Sequence, residues 1–444
     1  MAEAPSPIIS RVRTSDPDFE ARLAALLAWD TAEDSTVLEI ARDVIRRVRA
    51  EGDAALLELT WRFDRLDVSR MAATVLSADD FRSAFERIGD LERSALTTAA
   101  GRIRTYHEHQ LTESWSFTDA LGNRLGQRVT PLERVGIYVP GGQAAYPSTV
   151  LMTAIPARVA GVGEVIMTVP TPDGARNDLV LAAAHVAGVD RGFTIGGAQA
   201  IAALALGTET VPRVDKIVGP GGVFVAAAKR LVYGEVGIDM VAGPSEVLIV
   251  ADGTTPVDWI VYDLFSQAEH DEAAQALLLC PDPGYLDAVA EAMRRHLTSA
   301  PRRDIIAASL SRRGALIETR SIAEAVALAN RVAPEHLELC LADPDPWVDE
   351  VRHAGAIFVG AHSPEVMGDY TAGPSHVLPT YGSARFSSPL GVYDFQKKSS
   401  IVRLSREGSQ ALARDSAALA HGEGLSAHAR AAELRIAGID HNDA

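Results

Sequence analysis

DMVAGPSEVLIVAD, residues 239–252, is the stretch on which the fold turns. The Gly-Pro pair inside it breaks any regular element, because proline fixes φ and glycine releases it. The following EVLIVAD is a short apolar run rich in β-branched residues, of strand length rather than helix length. AGPS (242–245) therefore splits one long run in two. Before it stand VGIYVP, EVIMTV, GFTIG and DKIVG; after it stand QALLLC, ALIETR, HLELCL and AIFVG, with Ala-rich helical stretches between them. Such strand–helix alternation, from about 130 to 360, predicts parallel sheets with helices on both faces.

Outward from this core the pattern changes. DFEARLAALLAW, STVLEIARDVIRRVRAEGDAALLELTWRF and ADDFRSAFERIGDLERSALTTAAGRIRTYHEH keep a helical apolar spacing, so residues 17 to about 115 read as helices. Beyond about 385 the chain again reads as helical and ends in the polar tail HNDA. The expected fold class is α/β: two incomplete Rossmann-like α/β domains with smaller N- and C-terminal helical extensions. The division places a helical arm at 1–34, a first α/β domain at 35–137 with 245–390, an inserted second at 138–244, and a C-terminal helical arm at 391–444.

Composition narrows the function classes. The 444 residues carry 42 Lys+Arg against 59 Asp+Glu, a net charge of −17, which argues against nucleic acid or an anionic membrane as partner. No apolar run reaches the roughly 18–20 residues of a membrane span, and MAEAPSPIISRVRTSD lacks the apolar core of a signal peptide. The two cysteines, Cys280 and Cys340, each close an apolar run and read as buried thiols in a reducing compartment. The expectation is a cytoplasmic protein.

The glycine-rich loops VPGG (139–142), GGAQA (196–200), GPGG (219–222) and AGPSE (242–246) are assigned to carboxyl ends of strands, where open α/β sheets collect ligands. None fits G-x-G-x-x-G or a Walker A pattern, so spacing alone leaves nucleotide binding open against ordinary tight turns. Polar clusters say more. DLFSQAEHD (263–271) sets Gln267 and His270 on one helix face, either half a metal site or a polar face. APEHLEL (333–339) puts Glu335 beside His336 at the start of an apolar strand, either a surface pair or two bases with different tasks. Neighbours in a regular strand face opposite ways, so both serve one site only at the irregular entry. HSPEVMGDYTAGPSHVLPT (362–380) holds Asp369 and His376 in a loop too long for an idle connection, and HGEGLSAHARAAEL (421–434) offers Glu423 and His428. His107 and His109, two apart in HEHQ, face different sides of a helix and read as surface or packing residues. Ser245 has no nearby His-Asp relay and does not read as a nucleophile.

Together these segments closely resemble histidinol dehydrogenase. The resemblance rests on ERVGIYVPGG with YPSTVLM, DMVAGPSEVLIVAD, DLFSQAEHD, APEHLEL, GDYTAGPSHVLPT and EGLSAH, in family order from about 130 to 430. It implies one zinc per subunit, held by Gln267, His270, Asp369 and His428 and binding the amino and imidazole nitrogens of L-histidinol. It makes Glu335 and His336 the acid–base pair, lines the substrate pocket with Ser245, Glu423 and His376 beside the metal ligands, and assigns NAD to Tyr138, Gln199 and residue 222. The family commonly has Asn after GPG; this chain has Gly222, so a side-chain contact to the dinucleotide is missing there. It also implies a homodimer whose C-terminal arm completes the partner's active site.

Oxidising an alcohol to an acid removes two hydrides, each needing an NAD+. His336, with a reference pKa of about 6.5, suits the hydroxyl proton. Glu335 suits the water that hydrates the aldehyde. No cysteine lies in these motifs, so hydration rather than a thiohemiacetal is expected. Two other classes stand beside this one: a dehydrogenase of another small polyol, which a carboxylate such as Glu423 disfavours, and a metal hydrolase or amino-acid binder, which leaves the dinucleotide contacts unused.

Overall fold

The computed structural model describes residues 8–28, 35–141, 145–241 and 243–436; the last glycine of VPGG, Ala242 and the polar tail lie outside these. One six-stranded sheet runs in the order Val75–Leu76, Arg191–Phe193, Glu164–Thr168, Arg134–Tyr138, Lys216–Val218, Gly237–Ile238. A second runs Ser10–Arg13, Ala315–Glu318, Gln275–Cys280, Glu246–Ala251, His336–Cys340, Ala356–Val359. Every pairing in the second sheet is parallel. In the first, only Val75–Leu76 runs antiparallel to its neighbour. Setting aside the N-terminal edge strand of each, both sheets wind third, second, first, fourth, fifth, which is the Rossmann-like order.

The central strands form because both their faces are covered. Glu246–Ala251, Gln275–Cys280 and His336–Cys340 are buried at every position, and continuous apolar runs suit such strands better than alternation does. Helix Gly197–Leu206 (GAQAIAALAL) is apolar all round, and it is buried from Ala198 to Ala205 between the first sheet and the N-terminal helices. Local chemistry marks the ends: Asn177 accepts the N–H groups of Leu179 and Val180 to start helix Asp178–Ala187, and Asp282 does the same for Pro283–Leu297. Each fully buried Leu or Ile in these layers contributes about 1.5–3 kcal/mol relative to exposure.

The expected domain division needs correction at its N-terminal side. Val44, Ile45, Val48, Leu56 and Leu59 pack with Ile166 and Ile201, while Phe81, Leu96 and Ile103 pack with Val135 and Met167. Residues 35–110 and 132–137 therefore pack with the first sheet, not with 245–390. The segment read as a helical arm at 1–34 contributes strand Ser10–Arg13 to the second sheet before helix Phe19–Leu27. An amphipathic face announces that a helix packs, but not against which sheet.

Both sheets belong to one compact unit, made of the chain through residue 110 and residues 132–395. Residues 111–131 and those from 396 onward form another. Within it, Gln396–Arg403, Arg124–Pro131 and Trp115–Thr118 make an antiparallel sheet, followed by helices Arg406–Gly422 and Ser426–Glu433. Ser405 caps the first of these helices by accepting the Gly408 N–H at 2.8 Å, and the Asn123 side chain accepts the Ser405 N–H at 3.0 Å. The strand Gln396–Arg403 (QKKSSIVR) is exposed along nearly its whole length, so it carries no apolar alternation by which to be read.

Candidate active site

The chain passes from the carboxyl end of the first sheet, at Ile238, to the amino end of the second, at Glu246. AGPSE is thus also the entry to a strand, which corrects its assignment to a carboxyl end alone. Glu246 opens strand Glu246–Ala251 beside His336, the first residue of His336–Cys340. Its peptide groups hold both members of the expected pair. The Glu246 N–H donates to Glu335 Oε2 at 2.8 Å, and its carbonyl accepts His336 Nδ1–H at 3.0 Å. The irregular entry lets neighbours share one site: His336 Nδ1 and Glu335 Oε2 lie 3.6 Å apart.

With Nδ1 donating, the neutral tautomer carries its lone pair on Nε2. That atom is buried and has no hydrogen-bond partner; Asp369 Oδ1 lies 3.8 Å from it. Phe358 packs against the imidazole, ring centroids 5.9 Å apart. Burial disfavours charge on His336, but Glu365, Glu335 and Asp369 around it raise its pKa well above the ordinary imidazole value. Burial pushes Glu335 up to about 8 and Glu246 to about 7. Burial also pushes Asp369 upward, but His336, His376 and His270 outweigh it and hold that carboxylate below its usual range.

The other expected residues arrive from three elements. Gln267 is fully buried at the end of helix Val257–Ala268, and His270 follows on the exposed turn. Oriented so that its nitrogen faces Glu365, the Gln267 amide donates to that carboxylate (3.1 Å to Oε2), and its oxygen accepts the Glu246 N–H at 2.8 Å. Asp369 lies on helix Glu365–Tyr370, which packs against the Gln267 helix. His376 Nδ1 donates to the Asp369 carbonyl at 3.1 Å, and its Nε2 lies 3.5 Å from Thr149 Oγ1, on a helix of the first sheet's layer. Ser245, half-buried, accepts the Gln275 N–H at 2.9 Å through its carbonyl. Glu423 and His428 belong to the second unit and are exposed there.

Three carboxylates escaped the sequence reading. Glu246, Glu338 and Glu365 are all buried, and the Glu365 N–H donates to Glu338 Oε1 at 2.8 Å. His336, Glu365 and Asp369 each bring a ligand atom within 4.8 Å of the others. This trio shares only Asp369 with the set that the resemblance implies. Two observations speak against Glu365 as a metal ligand: its carboxylate accepts from the Gln267 amide, and burial lifts its pKa well above the carboxylate range. Amide oxygen, neutral imidazole and ionised carboxylate are donors that zinc accepts. Signals for the missed acids were present: Glu365 lies four residues before Asp369 on one helix face, and a Glu inside HLELC in a two-sided parallel sheet has no solvent face to take.

The expected dinucleotide residues lie at the carboxyl end of the first sheet. Tyr138 ends strand Arg134–Tyr138, and its hydroxyl accepts the Gly197 N–H at 3.1 Å. Gln199 stands in the first turn of helix Gly197–Leu206, its Nε2 buried without a partner. Gly222 caps helix Val223–Val232 with open space where a side chain would stand. The centre of this edge, between Arg134–Tyr138 and Lys216–Val218, is the switch point of the strand order, where such sheets bind ligands. The orphaned amide and the open loop fit a dinucleotide.

Comparison with known proteins agrees over nearly the whole chain. The family model described as histidinol dehydrogenase matches residues 28–436. A histidinol dehydrogenase of Aromatoleum aromaticum is 60% identical over 433 residues, covering 98% of this chain and 99% of that protein. One from Pseudomonas aeruginosa is 59% identical over 428 residues, covering 96% and 97%. The crystal structure of histidinol dehydrogenase from Elizabethkingia anophelis superposes with a TM-score of 0.90 at 33% identity, covering 97% of this chain and 98% of that one.

Proposed function

Because the chain belongs to the histidinol dehydrogenase family, we propose that it oxidises L-histidinol through L-histidinaldehyde to L-histidine, with zinc and NAD, in the cytoplasm. The observation that carries the reading is the buried Glu335–His336 pair, with His336 Nε2 unpartnered and aimed at Asp369.

The balance is one alcohol, one water and two NAD+ giving one carboxylate, two NADH and three protons. In the first half, His336 Nε2 takes the hydroxyl proton while the carbon loses hydride. The Glu246 carbonyl keeps Nδ1 protonated and so fixes which nitrogen is the base. In the second, Glu335 takes a proton from the water that adds to the aldehyde, and the hydrated carbon loses the second hydride. His336 again receives a hydroxyl proton. When bound by Gln267, His270, Asp369 and His428, zinc supplies a Lewis-acid anchor for substrate nitrogens and offsets the negative field around His336. NAD+, received by the loops around Tyr138, Gln199 and Gly222, supplies the hydride-accepting ring. Glu423, His376 and Ser245 orient the substrate, with Glu423 suited to its amino group.

The test mixes purified protein with L-histidinol and NAD+ and follows NADH. The expected result is two NADH per histidinol, loss of activity with a chelator, and recovery with zinc. A protein that reduces no NAD+ under these conditions, with zinc present, refutes the reading.

A further inference from the structure

The GPGG loop is anchored by a charged pair deep in the first half. Lys229, on helix Val223–Val232, and Asp239, just past strand Gly237–Ile238, form an ion pair whose side chains are 3% and 1% exposed. Both grip the same peptide neighbour. Lys229 Nζ donates to the Gly219 carbonyl at 2.9 Å, and Asp239 Oδ2 accepts the Gly219 N–H at 2.8 Å. The other carboxylate oxygen takes the Met240 N–H at 2.7 Å. Gly219 has φ +113°, and a Cβ there would stand 2.2 Å from the Tyr138 carbonyl oxygen, so the loop passes where only glycine fits.

A buried ion pair is a poor way to gain stability, since apolar residues of equal volume do as well; what it provides is geometry. Here that geometry is the orientation of Gly219, at the switch point of the sheet. Helix Val223–Val232 begins four residues further on, with no side-chain cap at Gly222. We propose that Lys229 and Asp239 are positioning residues for the dinucleotide, setting the 219–222 loop before it arrives. The inference rests on the NAD reading above.

Two measurements test it. Hydrogen exchange on the zinc-loaded protein without nucleotide should show the Gly219 amide already strongly protected; protection that appears only with NADH overturns the proposal. Lys229→Met alone strands a buried carboxylate, so the informative variant is Lys229→Met/Asp239→Asn, which keeps an acceptor for the Gly219 N–H but frees its carbonyl. Fluorescence titration should show NADH binding weakened by about tenfold through lost preorganisation, with zinc content and histidinol KM unchanged. A folded double variant that binds NADH as tightly as wild type refutes the clamp. A wild-type protein that binds no NADH would instead refute the dinucleotide reading.

Discussion

Glu335 and His336 are chain neighbours with different tasks, and their environments separate them. His336 holds a proton on Nδ1 through the Glu246 carbonyl and presents Nε2, whereas Glu335 is a carboxyl that burial raises to about 8. Water activation requires the ionised form, so wild-type aldehyde oxidation should climb with pH as this carboxyl, raised by burial, ionises. Glu335→Gln should lose that climb and slow the aldehyde-to-acid half by about 10²–10⁴-fold, with a smaller effect on the alcohol-to-aldehyde half. His336→Asn should impair both halves. Supplying histidinaldehyde directly separates them, and equal losses from both variants in both halves would sink the assignment. The same shift acts on folding. A carboxyl whose folded pKa lies above its unfolded value stabilises the fold at low pH, and the contribution is lost as pH rises through the folded pKa. For Glu335 that loss spans the interval from its ordinary 4.5 to about 8. Metal-free protein should therefore melt progressively lower from about pH 4.5 to about pH 8, and less steeply in Glu335→Gln; parallel melting curves would contradict this. At this scale the sequence was informative where residues were both polar and locally clustered. Glu335, His336, Gln267, Asp369 and His376 meet in one corner, but their meeting is a tertiary fact that only family resemblance could supply. Glu246 was hidden because its work is done largely by peptide groups, which every residue has.

Among elements, the loop over the strand entry shows how backbone strain serves the site. Tyr381 stands at φ +58°, unusual for a residue with a side chain, and its N–H donates to Glu246 Oε1 at 2.6 Å. Its ring covers Gly243, where a Cβ would fall 2.0 Å from Cζ. Gly243→Ala should therefore displace the ring, destabilise the protein by about 1–3 kcal/mol as overpacking does, and lower kcat by loosening Glu246. Adding Tyr381→Gly should restore stability, since glycine accepts the left-handed backbone and vacates the space. Urea unfolding of the single and double variants checks this; an Ala variant as stable as wild type would show that the ring yields freely. The apolar strands were legible because runs such as EVLIVA and QALLLC have no other use, and the Gly-Pro break correctly divided them. Ser10–Arg13, Val75–Leu76 and Gln396–Arg403 were not, being short or polar edge strands whose partners lie far off in sequence.

For the whole molecule, the feature that matters is the placement of Glu423 and His428. They lie in the second compact unit, beyond the last α/β strand, on or beside a short exposed helix. As the family resemblance implies, the proposal is a homodimer whose arm completes the partner's site. Inactive His428→Asn and Glu335→Gln homodimers, dissociated and reassembled together, should regain activity, because one site of each heterodimer then carries neither lesion. If the arm serves its own subunit, every site keeps one lesion and the mixture stays inactive. Fold class and the two-sheet division were legible from alternation, while the partition of the N-terminal helices between sheets was not.

Strand Ser10–Arg13 pairs with Ala315–Glu318, while the last strand of the first sheet is Gly237–Ile238. Synthesis therefore makes the two halves in a fixed order. At about 5–20 residues per second, the opening strand waits roughly 15–60 s on the ribosome for its neighbour to be translated. All strands of the first sheet, its Lys229–Asp239 clamp included, have by then emerged. The nascent chain holds the parts of its dinucleotide half well before it has those of its carboxylate-rich half. The opening strand passes that interval without the partner it has in the folded protein.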